Sequence, residues 1–207
     1  MTIRKFVAAL TICLLAGSVF SPLQAQVYFD LGGGVAAPTG DLNDYWGMGP
    51  ALSGTILFPA TPFVSVGVNF GYSKMAFDHD TFADAIGEPD LDLSGGDLSV
   101  LNVCAELRVH AGAMEMAYVF GGAGLGLYNI GLSDLTYGTE SMPFDRENKV
   151  GGYIHAGFAM PITPIMKIGI KGQFNFYKVD KNEDLQDYFA ETQNFFSLMG
   201  VLIIGLD

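Results

Sequence analysis

Five charged residues stand out because they fall in segments that otherwise alternate apolar with small side chains: Asp30, Glu106, Arg108, Lys167 and Lys171. A charge on a face that avoids bulk water must pair, so these five are expected to form one salt-bridge cluster. Three histidines are the other candidates. His79 lies between Asp78 and Asp80, where it suits a His/Asp acid–base pair or a metal site. Asp90, Asp92 and Asp97 further along the same stretch are hard oxygen ligands of the kind calcium takes. Neither pattern is complete. No nucleophilic serine is placed beside His79 in sequence, and no EF-hand spacing or fixed repeat surrounds the aspartates. The region reads as a solvated acidic loop, with no catalytic residue, no cofactor and no metal ion assigned. His155 suits a packed, hydrogen-bonded position in the lumen wall better than a ligand role, and His110 ends another alternating segment.

The elements that would position these groups are strands. From Phe63 to Ser73, Val64, Val66, Val68, Phe70 and Tyr72 share one face, and Ser65, Gly67, Asn69, Gly71 and Ser73 the other. The same period of two runs from Leu101 to His110 and from Ile165 to Tyr177. One face is large and apolar; the opposite face is glycine, serine, asparagine and a few charges. A soluble sandwich would show dense charge on its polar face. Small, weakly charged residues instead suit the crowded interior of a narrow barrel whose outside meets lipid.

Turn signals divide the chain into eight expected strands: Val27 to Ala37, Gly49 to Phe58, Phe63 to Met75, Leu98 to Val109, Glu115 to Ile130, Val150 to Met160, Ile165 to Val179, and Gln193 to Leu206. Most approach the roughly 9–11 residues needed to cross a bilayer at a tilt. The phase is undetermined in two, Tyr118 to Gly131 and Leu198 to Leu206, where both faces are apolar. Connections alternate in length. Pro59 to Pro62, His110 to Met114 and Pro161 to Pro164 are short; Pro38 to Met48, Ala76 to Asp97, Gly131 to Lys149 and Asp180 to Thr192 are long. That alternation is expected of an up-and-down barrel with tight turns at one membrane face and large loops at the other. Aromatic residues near the strand ends suggest two interfacial girdles: Tyr28, Phe29, Phe58, Phe63, Tyr118 and Phe120 at the turn end, and Phe70, Tyr72, Phe77, Tyr128, Tyr153, Phe174, Phe176, Phe195 and Phe196 at the loop end.

The first 25 residues read as a cleaved secretory signal: Arg4 and Lys5, an apolar run from Phe6 to Phe20, and a Leu23-Gln24-Ala25 cleavage pattern. Residues 26–207 then form a single barrel domain holding one cysteine, Cys104, and so no internal disulfide. The long loops carry most of the 22 acidic residues, and the whole chain has a net charge of −12. So acidic a chain is not expected to bind nucleic acid, which needs a basic surface for its phosphates.

The opening VYFDLGGGVAAPTGDL, the central YVFGGAGLGLY and a last strand reaching almost to Asp207 make the mature chain resemble the OmpA-like and OmpX-like eight-stranded outer-membrane β-barrel family. The resemblance implies an all-β, antiparallel, up-and-down transmembrane barrel in the cell outer membrane. It also implies contact with outer-membrane lipid and lipopolysaccharide, insertion by the barrel-assembly machinery, and a monomer. Family members often end in an aromatic residue, whereas this sequence ends Gly205-Leu206-Asp207, and the reading expects no peptidoglycan-binding domain after Leu206.

The functional expectation is a structural or surface-interaction barrel whose acidic loops meet an extracellular ligand. In it the charge cluster plugs the turn-side half of the lumen, as structural packing or as a gated, narrow ion path. The alternatives are a channel for small solutes or ions, an enzyme modifying lipid A, and a soluble lipocalin-type carrier. The carrier would keep its large apolar residues inside.

Overall fold

The computed structural model describes residues 27–85, 87, 93–111, 117–137, 140–178 and 192–206. The expected signal, residues 1–25, lies outside them, as do Asp90, Asp92 and the stretch 179–191.

Eight strands form a closed antiparallel barrel: β1 (Val27–Thr39), β2 (Gly49–Thr61), β3 (Val64–Met75), β4 (Leu98–Ala111), β5 (Tyr118–Leu132), β6 (Glu147–Pro161), β7 (Met166–Lys178) and β8 (Thr192–Leu206). Each pairs with its neighbours in sequence, and β1 closes the ring against β8, Val27 opposite Leu206 and Thr39 opposite Asn194. Closure leaves no unpaired sheet edge, which is the condition for placing strands in hydrocarbon. The strands are 12 to 15 residues long, a few longer than expected from sequence.

Alternation sorts the side chains. Leu31, Leu52, Phe70, Leu107, Leu125, Ile154, Ile170 and Leu198 point outward and are exposed, Leu125 at 69%. A continuous apolar belt of this kind is far larger than the patches soluble monomers expose, and it is what lipid covers. A soluble carrier is excluded on the same ground.

The inside departs from the small, polar lumen expected from sequence. Tyr28, Tyr118, Phe120, Tyr128, Tyr153 and Phe195 are buried in the lumen, not set in the interfacial girdles. The physical reason is phase: residues of even number on β1 and β5, and of odd number on β6 and β8, face inward, and pairing fixes that phase where both faces are apolar. Phe77 belongs to a loop, bridged to Trp46. Phe58, Phe63, Phe70, Tyr72 and Phe196 do point out.

Two buried clusters fill the ends of the lumen. Tyr28, Leu57, Tyr118, Phe120, Ala159, Val201 and Ile203 pack near the short turns. Met75, Val100, Cys104, Tyr128, Tyr153, Tyr177, Phe195 and Met199 pack toward the loops, continuous with Leu42 and Trp46. Glycines give these rings their room: a Cβ on Gly124 would overlap the Tyr153 ring, and one on Gly157 the Phe120 ring.

Among the described residues, three of the long loops carry local structure. Gly40–Asp44 forms a turn of 3-10 helix, and His79–Ala85 a short α-helix, α1. Leu93–Ser94, Leu135–Tyr137 and Glu140–Met142 make a three-stranded sheet joining the second and third long loops.

Candidate functional site: the interior charge layer and the loop lid

The sequence places Asp30 on β1, Glu106 and Arg108 on β4, and Lys171 on β7; closure brings them to one level inside the barrel. Arg108 is the hub. Its Nη1 lies 2.8 Å from Asp30 Oδ2 and its Nε 2.8 Å from Glu106 Oε1. Lys171 Nζ is 3.7 Å from the same Asp30 oxygen and donates a hydrogen bond to Ser53 Oγ at 3.2 Å. Glu106 is held from a third direction as well: Tyr153 Oη donates to its Oε2, and His155 Nε2 lies 3.2 Å from its Oε1. The Arg108 guanidinium also sits 4.9 Å over the Phe120 ring.

All these side chains are almost fully buried, Asp30 at 0% and Lys171 at 1% exposure. In so dry a place, losing one partner strands a charge, so the network is rigid and not a set of loose surface pairs. Four of the five expected residues therefore meet. Lys167 does not join: among the described residues it meets no carboxylate, and its Nζ lies 4.9 Å over the Tyr28 ring nearer the short turns. Its position closer to the short turn on β7 carries it to a different level of the lumen from Lys171. The cluster also sits between the two apolar layers instead of filling the turn-side half alone.

Sequence reasoning missed Tyr153 as a member, because an aromatic ring near a strand end suits a girdle equally well. His155, expected as a packed lumen histidine, does pack there and contributes to Glu106. The signal for both was present in their odd-numbered spacing on β6, opposite Gly122 and Gly124 on β5. Above the charge layer runs a chain of amides. Asn102 Nδ2 donates to Asn69 Oδ1 at 3.1 Å, and Asn69 Nδ2 to Thr55 Oγ1 at 2.8 Å.

At the loop end a lid closes the barrel. Trp46 Nε1 donates to the Gly96 carbonyl at 3.0 Å and its ring packs 5.6 Å from Phe77. Phe82 of α1 packs on Phe77 and Tyr45. Lys74 Nζ meets Asp97 Oδ2 at 2.8 Å, while Asp97 Oδ1 accepts the Phe77 amide at 3.1 Å. Burial pushes the Asp97 carboxyl up, but the Lys74 and Phe77 hydrogen bonds outweigh it and hold it below the usual range. Asp97 is thus committed to the lid. His79 is committed too: its Nε2 hydrogen-bonds the Gly95 carbonyl at 2.9 Å and its ring meets Phe77 edge-on. Gly95 needs its positive φ of 84 to present that carbonyl. Met48, Tyr137, Met142 and Phe144 stay exposed on the loops.

No family model matches the sequence, and none of the curated proteins matches it. Solved structures do. Neisserial surface protein A superposes with a TM-score of 0.59 at 11% identity, over 86% of this chain and 96% of that one. A major outer membrane protein from Thermus thermophilus gives 0.59 at 11%, over 88% and 100%. The N-terminal β-barrel domain of Pseudomonas aeruginosa OprF gives 0.52 at 14%, over 88% and 98%. The fold is that of the eight-stranded outer-membrane β-barrels.

Proposed function

We propose that this outer-membrane barrel is a non-conducting structural protein that presents an ordered, acidic loop platform for surface interaction. The observation that carries the reading is the filled lumen: a paired charge layer between two apolar layers, with the Trp46 lid above. Eight strands enclose little more than the volume of their own side chains. Here aromatic rings take much of that volume, and in the middle layer Arg108, Lys171, Asp30 and Glu106 are spent on one another.

The platform reading rests on the loops. Exposed Met48, Tyr137, Met142 and Phe144 sit among acidic residues on a braced scaffold, and such apolar patches with polar rims mark binding surfaces. The occupant is proposed as an extracellular or envelope partner, with lipid and lipopolysaccharide around a monomeric barrel. Lipid A chemistry is not part of the proposal, because His79 is tied to a backbone carbonyl in the lid.

Single-channel recording in planar bilayers tests the plug. The proposal expects no unitary current from the folded protein; steady unitary steps would replace it with the narrow-channel reading.

A further inference from the structure

Among the described residues the interior charges do not balance. Arg108, Lys167 and Lys171 are buried in the lumen, and the carboxylates buried with them are Asp30 and Glu106. Arg108 engages both carboxylates, and Lys171 lies against Asp30. Lys167, 3% exposed, is left with the face of Tyr28. A buried cation without a counter-charge is costly, and the turn-side end of the lumen is where the deficit lies.

Other donors face the same place. Arg108 spends Nη1 and Nε on carboxylates, but its Nη2 is buried without a hydrogen-bond partner among the described residues. His110, 5% exposed, has neither ring nitrogen bonded among them. The charges of Arg108 and Lys167 both bear on the His110 ring, and that ring packs 5.9 Å from Tyr118. Tyr118 and Tyr28 belong to the same buried turn-side cluster, so Lys167 over Tyr28 and His110 beside Tyr118 flank one layer.

We infer that Lys167, His110 and the free edge of Arg108 form a site at the short-turn mouth for a small oxyanion carrying a single negative charge, of the phosphate class. Donors arriving from two strands, Arg108 and His110 from β4 and Lys167 from β7, match oxygens spread around a tetrahedral centre, and one negative charge neutralises the excess cation. Tyr28 and Tyr118 wall the space. The anion arrives either free from the aqueous side of the mouth or as the phosphate of a lipid headgroup. The site lies below the charge layer, so it does not depend on the lumen being impermeable.

The test uses the mature chain folded in a phosphate-free non-ionic detergent. Inorganic phosphate is titrated and followed by phosphorus-31 line broadening, with a parallel titration of short-chain phosphatidylglycerol. Saturable broadening is expected, weakened about tenfold or more in Lys167→Met and in His110→Phe. Each variant is first checked for folding by heat-modifiable gel migration, and Lys178→Gln at the far end should bind as the parent does. Saturation by inorganic phosphate identifies a free anion; saturation by the lipid alone identifies a headgroup. No saturation with either probe, or equal affinity in both folded variants, overturns the site.

Discussion

Arg108 Nη1 and Asp30 Oδ2 stand 2.8 Å apart although β4 and β1 are separated by two intervening strands of the barrel. The bridge crosses the lumen, so it ties together parts of the wall that no backbone ladder connects. Cross-lumen contacts recur: Tyr153 on β6 reaches Glu106 on β4, and Lys171 on β7 reaches Ser53 on β2. They make the closed shape, and not each hairpin alone, the unit of stability.

Removing Glu106 tests that statement. Glu106→Ala leaves Arg108 with Asp30 alone, strips Tyr153 of its acceptor and removes the carboxylate beside His155. The expected loss is about 3–5 kcal/mol, the usual cost of breaking a buried pair from one side. Urea unfolding in lipid or detergent reads it. A double variant that also carries Arg108→Met should be far less damaged than the sum of the single changes, since it strands no further charge. Additive losses would mean that the pair is not coupled.

Gly124→Ala addresses the room made for Tyr153. The added methyl overlaps the ring, so Tyr153 must shift away from Glu106, at about 1–3 kcal/mol of overpacking. Tyr153→Phe keeps the ring and loses only the hydroxyl, and should cost about 1 kcal/mol. If Gly124→Ala were neutral by the same unfolding measurement, the ring would not be held against Glu106.

The lid should open at low pH. Asp97 has a lowered pKa in the folded protein, so its contribution is present above its ordinary value of 3.8 and is lost as pH falls. Trp46 is the single tryptophan and reports directly. Its fluorescence should be blue-shifted near neutral pH and red-shifted below about pH 4. Asp97→Asn should give the red-shifted spectrum at neutral pH.

Leu125 is 69% exposed near the middle of β5. Leu125→Arg would place a charge among lipid tails and should cost about 2–4 kcal/mol of folding free energy in bilayers. The parent protein should show different gel migration boiled and unboiled, and the variant should show a smaller folded fraction. A parent that stays in solution without detergent would contradict the lipid belt.

Strand number, strand order and the division into short turns and long loops were legible in the sequence because each rests on a local pattern. Period-two alternation in Val64 to Ser73 or Ile168 to Tyr177 fixes which side chains share a face, and that needs no knowledge of neighbours. The charges also announced themselves, since Asp30, Glu106, Arg108 and Lys171 interrupt faces otherwise small or polar. What the sequence could not decide was phase where both faces are apolar. Tyr128, Phe195 and Met199 go inside because β5 and β8 are locked in register to strands whose phase is unambiguous. Partners across the lumen were equally hidden: Lys167 and Lys171 look equivalent on β7, and only the closed ring sets Lys171 beside Asp30 and Lys167 over Tyr28. Alternation is a property of one strand. Pairing across the lumen belongs to all eight strands, and it exists only once the barrel is closed.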